Sequence, residues 1–188
     1  MFFNRPKYND LDGIITGCRK GKEAAQHKLY QEYKDVLYGM ARRYTKTSTD
    51  AEDVLMESFV KIFKSIDKYE GKGSFEGWMK RIVTFTAIDF YRKKEQKDLG
   101  LSENEEFEID ETIESTVVEE LEAQEIILLM NELPNGYRMI LNMYAIEGYS
   151  HKEIAKELGI SEGTSKSQLS KARKLFATLL NERGIERA

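Results

Sequence analysis

Hydrophobic side chains recur at intervals of three and four along most of this chain, the spacing of one face of an α-helix. Between Lys22 and Tyr44 the set is Leu29, Tyr33, Val36, Leu37, Met40, Ala41 and Tyr44, which predicts one long amphipathic helix. A shorter helix is expected from Asp10 to Arg19, with Leu11, Ile14, Ile15 and Cys18 inward and Gly21 ending it. Thr49 and Glu52, three apart, read as a capping box that opens a third helix running to about Ile66. Its inward face would be Leu55, Phe59, Ile62 and Ile66. After a glycine-punctuated loop, Tyr69 to Ser74, the positions Phe75, Trp78, Met79, Ile82, Val83 and Phe90 mark a helix to about Lys94.

The periodicity fails from Gln96 to about Glu120, where acids are dense and large apolar groups few, so this stretch reads as a linker. Helical spacing resumes near Val118 with Leu121, Ile126, Leu129 and Met130, and Leu133-Pro134 then breaks it. A helix from Asn135 to about Glu147 follows, with Ile140, Leu141 and Tyr144 inward. The expected fold is all-α: two small helical domains, residues 1–95 and 121–188, joined by a flexible acidic linker, residues 96–120.

The sharpest local signal lies between Gly148 and Leu180. Ser150 and Glu153 form a capping box, Ile154 and Leu158 give the helix an apolar stripe, and Ala155 permits close approach of a neighbour. Gly159 can take the left-handed conformation that ends a helix, Ile160 tucks inward, and Ser161 caps a second helix. That second helix would bury Leu169, Ala172, Phe176 and Leu179 while presenting Lys166, Lys171, Arg173 and Lys174. Two helices across a tight turn, the second basic, make the DNA-reading helix-turn-helix arrangement.

Charge sharpens this picture. The net charge is −4 over 188 residues. Asp98 to Glu122 contains eleven acids and no Lys or Arg, so removing those eleven negative charges leaves +7 on the remainder. Basic ends around an acidic middle are a nucleic-acid binder's distribution. The single cysteine, Cys18, excludes an internal disulfide and a cysteine zinc site. The longest apolar run, Ile126 to Met130, is too short to span a bilayer, and MFFNRPKYNDLDG has no signal core. A cytoplasmic protein is expected.

Two further clusters carry candidate chemistry. Asp50, Asp53 and Glu57 fall on one helical face as an acidic stripe, suited to a protein partner or a solvated surface; no further ligand is spaced to complete a metal site. Between Gly71 and Lys94, Lys72, Lys80, Arg81, Arg92, Lys93 and Lys94 are interleaved with aromatics, which suits a single nucleic-acid strand. Phe75 and Trp78 read equally as core aromatics, and for Trp78 the core is the better reading. His27 and His151 lack a paired carboxylate or nucleophile, so no catalytic role, cofactor or small-molecule substrate is expected.

Two segments, DAEDVLMESFVKIFKSIDKYEGKGSFEGWMKRIVTFTAIDFYRKK (50–94) and LPNGYRMILNMYAIEGYSHKEIAKELGISEGTSKSQLSKARKLF (133–176), resemble sigma factors of the extracytoplasmic-function group of the sigma-70 superfamily. The resemblance implies that residues 1–95 bind the clamp coiled coil of bacterial core RNA polymerase and open the minus-ten element. It implies that the C-terminal domain reads the minus-thirty-five element and touches the polymerase flap. By the same resemblance Asp50, Asp53, Glu57, Phe59 and Lys61 would bind polymerase. Lys72, Ser74, Phe75, Trp78, Lys80, Arg81, Arg92 and Lys93 would hold the melted strand. Thr164, Lys166, Ser167, Ser170, Lys171 and Arg173 would lie at the minus-thirty-five element, and an anti-sigma factor would be a further partner. The sequence departs from the family at Ser165, where valine is usual, and at Gln168, where arginine is usual. A stand-alone helix-turn-helix regulator would leave the first segment unused; a sigma mimic that only sequesters an anti-sigma factor would not need the basic helix.

Overall fold

The computed structural model describes residues 10–98 and 118–184, and every regular element among them is helical. The first module is built around α2 (Glu23–Tyr44), which packs against α1 (Leu11–Arg19), α3 (Ser48–Ser65) and α4 (Phe75–Asp98). The expected apolar set explains why: Leu29, Tyr33, Leu37, Met40, Ala41 and Tyr44 are all buried on α2. They meet Ile14, Ile15 and Cys18 of α1, Leu55, Phe59 and Ile62 of α3, and Phe75, Met79 and Val83 of α4. Each such aliphatic side chain withdrawn from water contributes about 1.5–3 kcal/mol before chain entropy is counted. The α1–α2 crossing is close at Gly17, where a Cβ would stand 2.5 Å from that of Ala25.

The helix ends follow from capping chemistry. The Asp10 carboxylate accepts from Gly13 N at 3.1 Å and starts α1. Ser74 Oγ accepts from Gly77 N at 3.0 Å and starts α4. The expected Thr49–Glu52 box is not used. Thr47 caps α3 instead, its Oγ1 accepting from Asp50 N at 3.0 Å, so the helix begins two residues earlier. The choice is made from outside the segment: Lys46 N donates to Tyr91 Oη of α4 at 3.0 Å and fixes the chain's approach. At its other end α3 passes through a short tightened turn, Ile66–Lys68, into the glycine loop.

The second module comprises α5 (Val118–Glu132), α6 (Asn135–Leu141) continued by a widened turn (Asn142–Ile146), α7 (His151–Leu158) and α8 (Glu162–Glu182). Leu129, Met130, Leu133, Ile140, Leu141, Met143, Ile154, Leu169 and Ala172 are buried within it. Ile126, expected inward, is 40 % exposed, because the buried face of α5 begins a turn later at Leu129. Helices α4 and α5 each extend slightly into the stretch expected to be linker; its remainder, 99–117, lies outside the described residues, as does the side chain of Leu121.

The two modules touch along α2 and α4. Arg43 pairs with Glu147 at 2.5 Å, and Asn142 Nδ2 donates to the Arg43 carbonyl at 2.8 Å. Phe85 and Tyr149 have ring centroids 6.1 Å apart, with the Arg81 guanidinium near both. Arg138 is fully buried, donates to Asn135 at 2.9 Å and to Asn131 at 3.4 Å, and lies 5.1 Å from the Tyr91 ring centre. Among the described residues no carboxylate pairs with it, so burial lowers its pKa from the ordinary arginine value. No helix among the described residues is long and apolar enough to cross a membrane.

Candidate nucleic-acid interface

The helix-turn-helix forms as its sequence specifies. Ser150 and Glu153 make both halves of the capping box, the carboxylate accepting from Ser150 N at 2.9 Å and from the Ser150 hydroxyl at 2.7 Å. These bonds favour the ionised form, so the Glu153 pKa falls below its ordinary value. Gly159 takes φ +67° and ψ 33°, a conformation in which a Cβ would be strained. Ser161 then caps α8, accepting from Thr164 N at 2.9 Å.

The outward face of α8 is basic and unobstructed. Lys166, Ser167, Ser170, Lys171 and Lys174 are exposed, and among the described residues none of the three lysines makes an ion pair. Ser167 Oγ donates to the Thr164 carbonyl, and Thr164, half buried, shares a bond with Ser161 Oγ. Arg173 is exposed, with its guanidinium 5.4 Å from the Tyr144 ring centre. Gln168 does not join this face; its amide oxygen lies against Gly136 at the start of α6. The cation the family carries there is therefore replaced on the side turned toward α6.

The strand-binding candidates divide into two kinds. Phe75 is buried, packed among Tyr33, Tyr69 and Trp78, and so cannot stack on a base. Trp78 is half buried in the same cluster, and Ser74 is occupied as a cap. Lys72 and Lys93 are exposed, Lys72 paired with Glu70 and Lys80 with Glu76. Arg81 and Arg92 face the second module, Arg92 donating to the Glu157 carbonyl. Sequence reasoning missed Arg19, which donates to the Tyr69 carbonyl at 2.5 Å and ties α1 to the loop. Beneath that loop lies a cleft of about 450 Å³ lined by Asp12, Ile15, Thr16, Arg19, Tyr69, Glu70 and Gly71.

The acidic stripe is partly answered from within. Asp50 is paired with Lys94 at 3.5 Å, and Glu57 with Lys61 at 3.0 Å and Lys93 at 3.9 Å, whereas Asp53 is exposed. Phe59 is 2 % exposed, its ring 4.9 Å from Tyr30, so it anchors α3 and offers no contact surface. Beside the stripe stand two side chains that were not anticipated, Met56 at 54 % and Val60 at 48 % exposure. The spacing 53, 56, 57, 60 could have revealed them, since it is one helical face of alternating acid and apolar character. Among the described residues no group of three or more His, Cys, Asp or Glu side chains converges as a metal site.

Two family models match the chain: "Sigma-70 region 2" over residues 29–97 and "Sigma-70, region 4" over residues 123–176. The chain belongs to the sigma-70 family, in its extracytoplasmic-function group. The region 2 match spans most of α2, all of α3, the glycine loop and nearly all of α4; the region 4 match contains α7, the turn and α8 as far as Phe176. Among curated relatives, this sigma factor is 27 % identical to the ECF RNA polymerase sigma factor SigE of Mycolicibacterium smegmatis over 86 % of its own length and 63 % of the relative's. It is likewise 27 % identical to the ECF RNA polymerase sigma-E factor of Salmonella typhimurium, over 85 % and 88 %. Among solved structures it resembles the sigma factor RpoE in complex with the anti-sigma factor NepR from Bartonella quintana. There the TM-score is 0.54 at 22 % identity, covering 82 % of this chain and 97 % of that one. It also resembles CnrH in complex with the cytosolic domain of CnrY, with a TM-score of 0.50 at 22 % identity over 90 % and 96 %. At these identities the two structures speak for the fold.

Proposed function

We infer that this sigma factor is a promoter-specificity subunit. It joins bacterial core RNA polymerase, reads a minus-thirty-five element through α8 and captures the opened minus-ten strand through the glycine loop and α4. The observation that carries the reading is the pairing, in one chain, of a cationic recognition face whose lysines make no ion pair among the described residues with the first module, whose acidic-apolar helix α3 lies beside the basic-aromatic α4. A stand-alone DNA regulator has no use for the first module. The helices α1 to α4 make the region 2 unit, and α5 to α8 the region 4 unit.

Two energy terms divide the work. Lys166, Lys171 and Lys174 supply salt-sensitive attraction to phosphate, while base-edge contacts discriminate by roughly 1–3 kcal/mol for each good bidentate pair. Strand capture draws on stacking, worth about 1–3 kcal/mol per base. Tyr69 and the rim of Trp78 are the rings positioned for it, and Phe75 supports them from below. The solved relatives in complex with NepR and CnrY support an anti-sigma factor as an additional partner, and a cytoplasmic location follows from the role. The role needs no bond-making chemistry of the chain itself. Run-off transcription with core polymerase on a promoter library tests the whole reading: discrete start sites preceded by a shared pair of elements are expected. Failure to initiate anywhere, with inhibitors removed, rejects it.

A further inference from the structure

The recognition helix carries a hydroxyl where its family usually carries a methyl-bearing side chain, and that hydroxyl is fully buried. Ser165 Oγ lies 2.9 Å from His151 Nδ1. The His151 ring is half buried and stacked on Tyr144, with centroids 4.5 Å apart and planes 25° from parallel. Tyr144 in turn holds the Arg173 guanidinium 5.4 Å from its centre. Four side chains from the widened turn, α7 and α8 thus form one path from the inner side of the recognition helix to its basic face.

An apolar contact at position 165 would resist separation of the helices but only weakly resist rotation, because dispersion has no direction. A hydrogen bond does have direction. We propose that His151 is a positioning residue for promoter reading: through Ser165 it sets the rotation of α8, and through Tyr144 it sets where Arg173 stands. This rests on the reading of α8 as the minus-thirty-five helix. The inward and outward sides of α8 are rigidly linked, so a rotation at Ser165 displaces Ser167, Ser170 and Lys171 together. Such a slip leaves phosphate attraction nearly intact and blurs base discrimination, because discrimination depends on side chains meeting base edges in register.

The test uses holoenzyme assembled from the full chain and core polymerase, on a promoter selected by run-off transcription and on the same promoter with its minus-thirty-five bases replaced. The readout is the ratio of affinities for the two. His151→Phe keeps a ring on Tyr144 without the bond, Ser165→Val removes the bond from the other side, and His151→Asn keeps a polar atom at the Nδ1 position. Phe and Val are expected to lower the ratio about three- to tenfold, as loss of one hydrogen bond would allow. Asn should hold it within about twofold, and the Phe/Val double variant should be no worse than either single. A variant that only folds less well reduces the active fraction and leaves the ratio unchanged, so an unchanged ratio in Ser165→Val and His151→Phe overturns the proposal. If the unaltered holoenzyme initiates but shows no preference for its minus-thirty-five bases, the reading of α8 falls, and the proposal with it.

Discussion

Lys171 stands in solvent on α8 one turn beyond Ser167, with no carboxylate paired to it among the described residues. A cation held this way makes its main contribution by displacing a counterion from a phosphate, whatever the base sequence. Lys171→Ala should therefore weaken promoter binding evenly across sequences and reduce the slope of log K against log salt by about one. A salt titration with the holoenzyme reads both, and an unchanged slope would remove Lys171 from the phosphate contacts. Ser150 makes a different kind of claim. Its hydroxyl satisfies a backbone donor at the start of α7, so Ser150→Ala should cost about 1 kcal/mol of stability, seen as a lower midpoint in chemical denaturation. Glu153 couples the same cap to acid. Its pKa is depressed in the fold, so its contribution is complete above 4.5 and is lost as pH falls from there through the folded value. The Ser150→Ala variant should accordingly lose less stability than the parent over that acid interval. Equal acid sensitivity of the two would show that the hydroxyl bond adds nothing to the carboxylate's hold on the cap, which would then rest on the Ser150 N–H alone.

Helix α3 shows what a sequence can and cannot declare about an element. Much of its inward face was legible, Leu55, Phe59, Ile62 and Ile66 being buried as their spacing demands, while the equally buried Ala51, Val54 and Ser58 lie outside that expected set. Its start was not. Thr47, Ser48 and Thr49 can all serve as caps, and the bond from Lys46 N to Tyr91 Oη, across 45 residues, selects among them. The helix-turn-helix posed no such ambiguity, because Ser150, Glu153, Gly159 and Ser161 form a self-contained code with every partner within a few residues. Phe59 and Phe75 expose the opposite failing. Their spacing places them inward, and packing against Tyr30 and Tyr33 agrees, whereas the family likeness alone gave them binding roles. The His151–Ser165 bond was invisible because it joins two helices whose relative placement no local pattern states. On the outer face of α3, the pairing of Asp53 and Glu57 with Met56 and Val60 gives the surface proposed to meet polymerase an apolar centre with charged neighbours. Asp53→Ala with Glu57→Ala should reduce association with core enzyme, and Met56→Asp should reduce it at least as much by placing a charge where apolar area is covered. Co-purification with core polymerase measures both. Undiminished recovery of the first variant would clear the acids of the role, and of the second, the apolar pair.

Across the whole molecule, the second module covers part of the helix that the first would use to hold DNA. Arg92 is bonded to the Glu157 carbonyl, and Arg81 lies against Tyr149. A strand drawn onto α4 must compete with these contacts, so strand capture and closure are linked, and each weakens the other by the same factor. Arg43 and Glu147 are ion-paired across the junction, with both side chains mostly withdrawn from solvent. Glu147→Ala should shift the chain toward separated modules, raising the radius of gyration in small-angle scattering and strengthening binding of a single-stranded minus-ten oligonucleotide several-fold. No change in either would mean that this pair does not govern closure. The junction combines an ion pair, an amide–carbonyl bond and guanidinium–ring contacts with apolar packing, for the buried side chains of the two modules form one continuous cluster. Parting the modules would bare apolar side chains together with their polar partners, so the open form is favoured only where another surface covers what closure now hides.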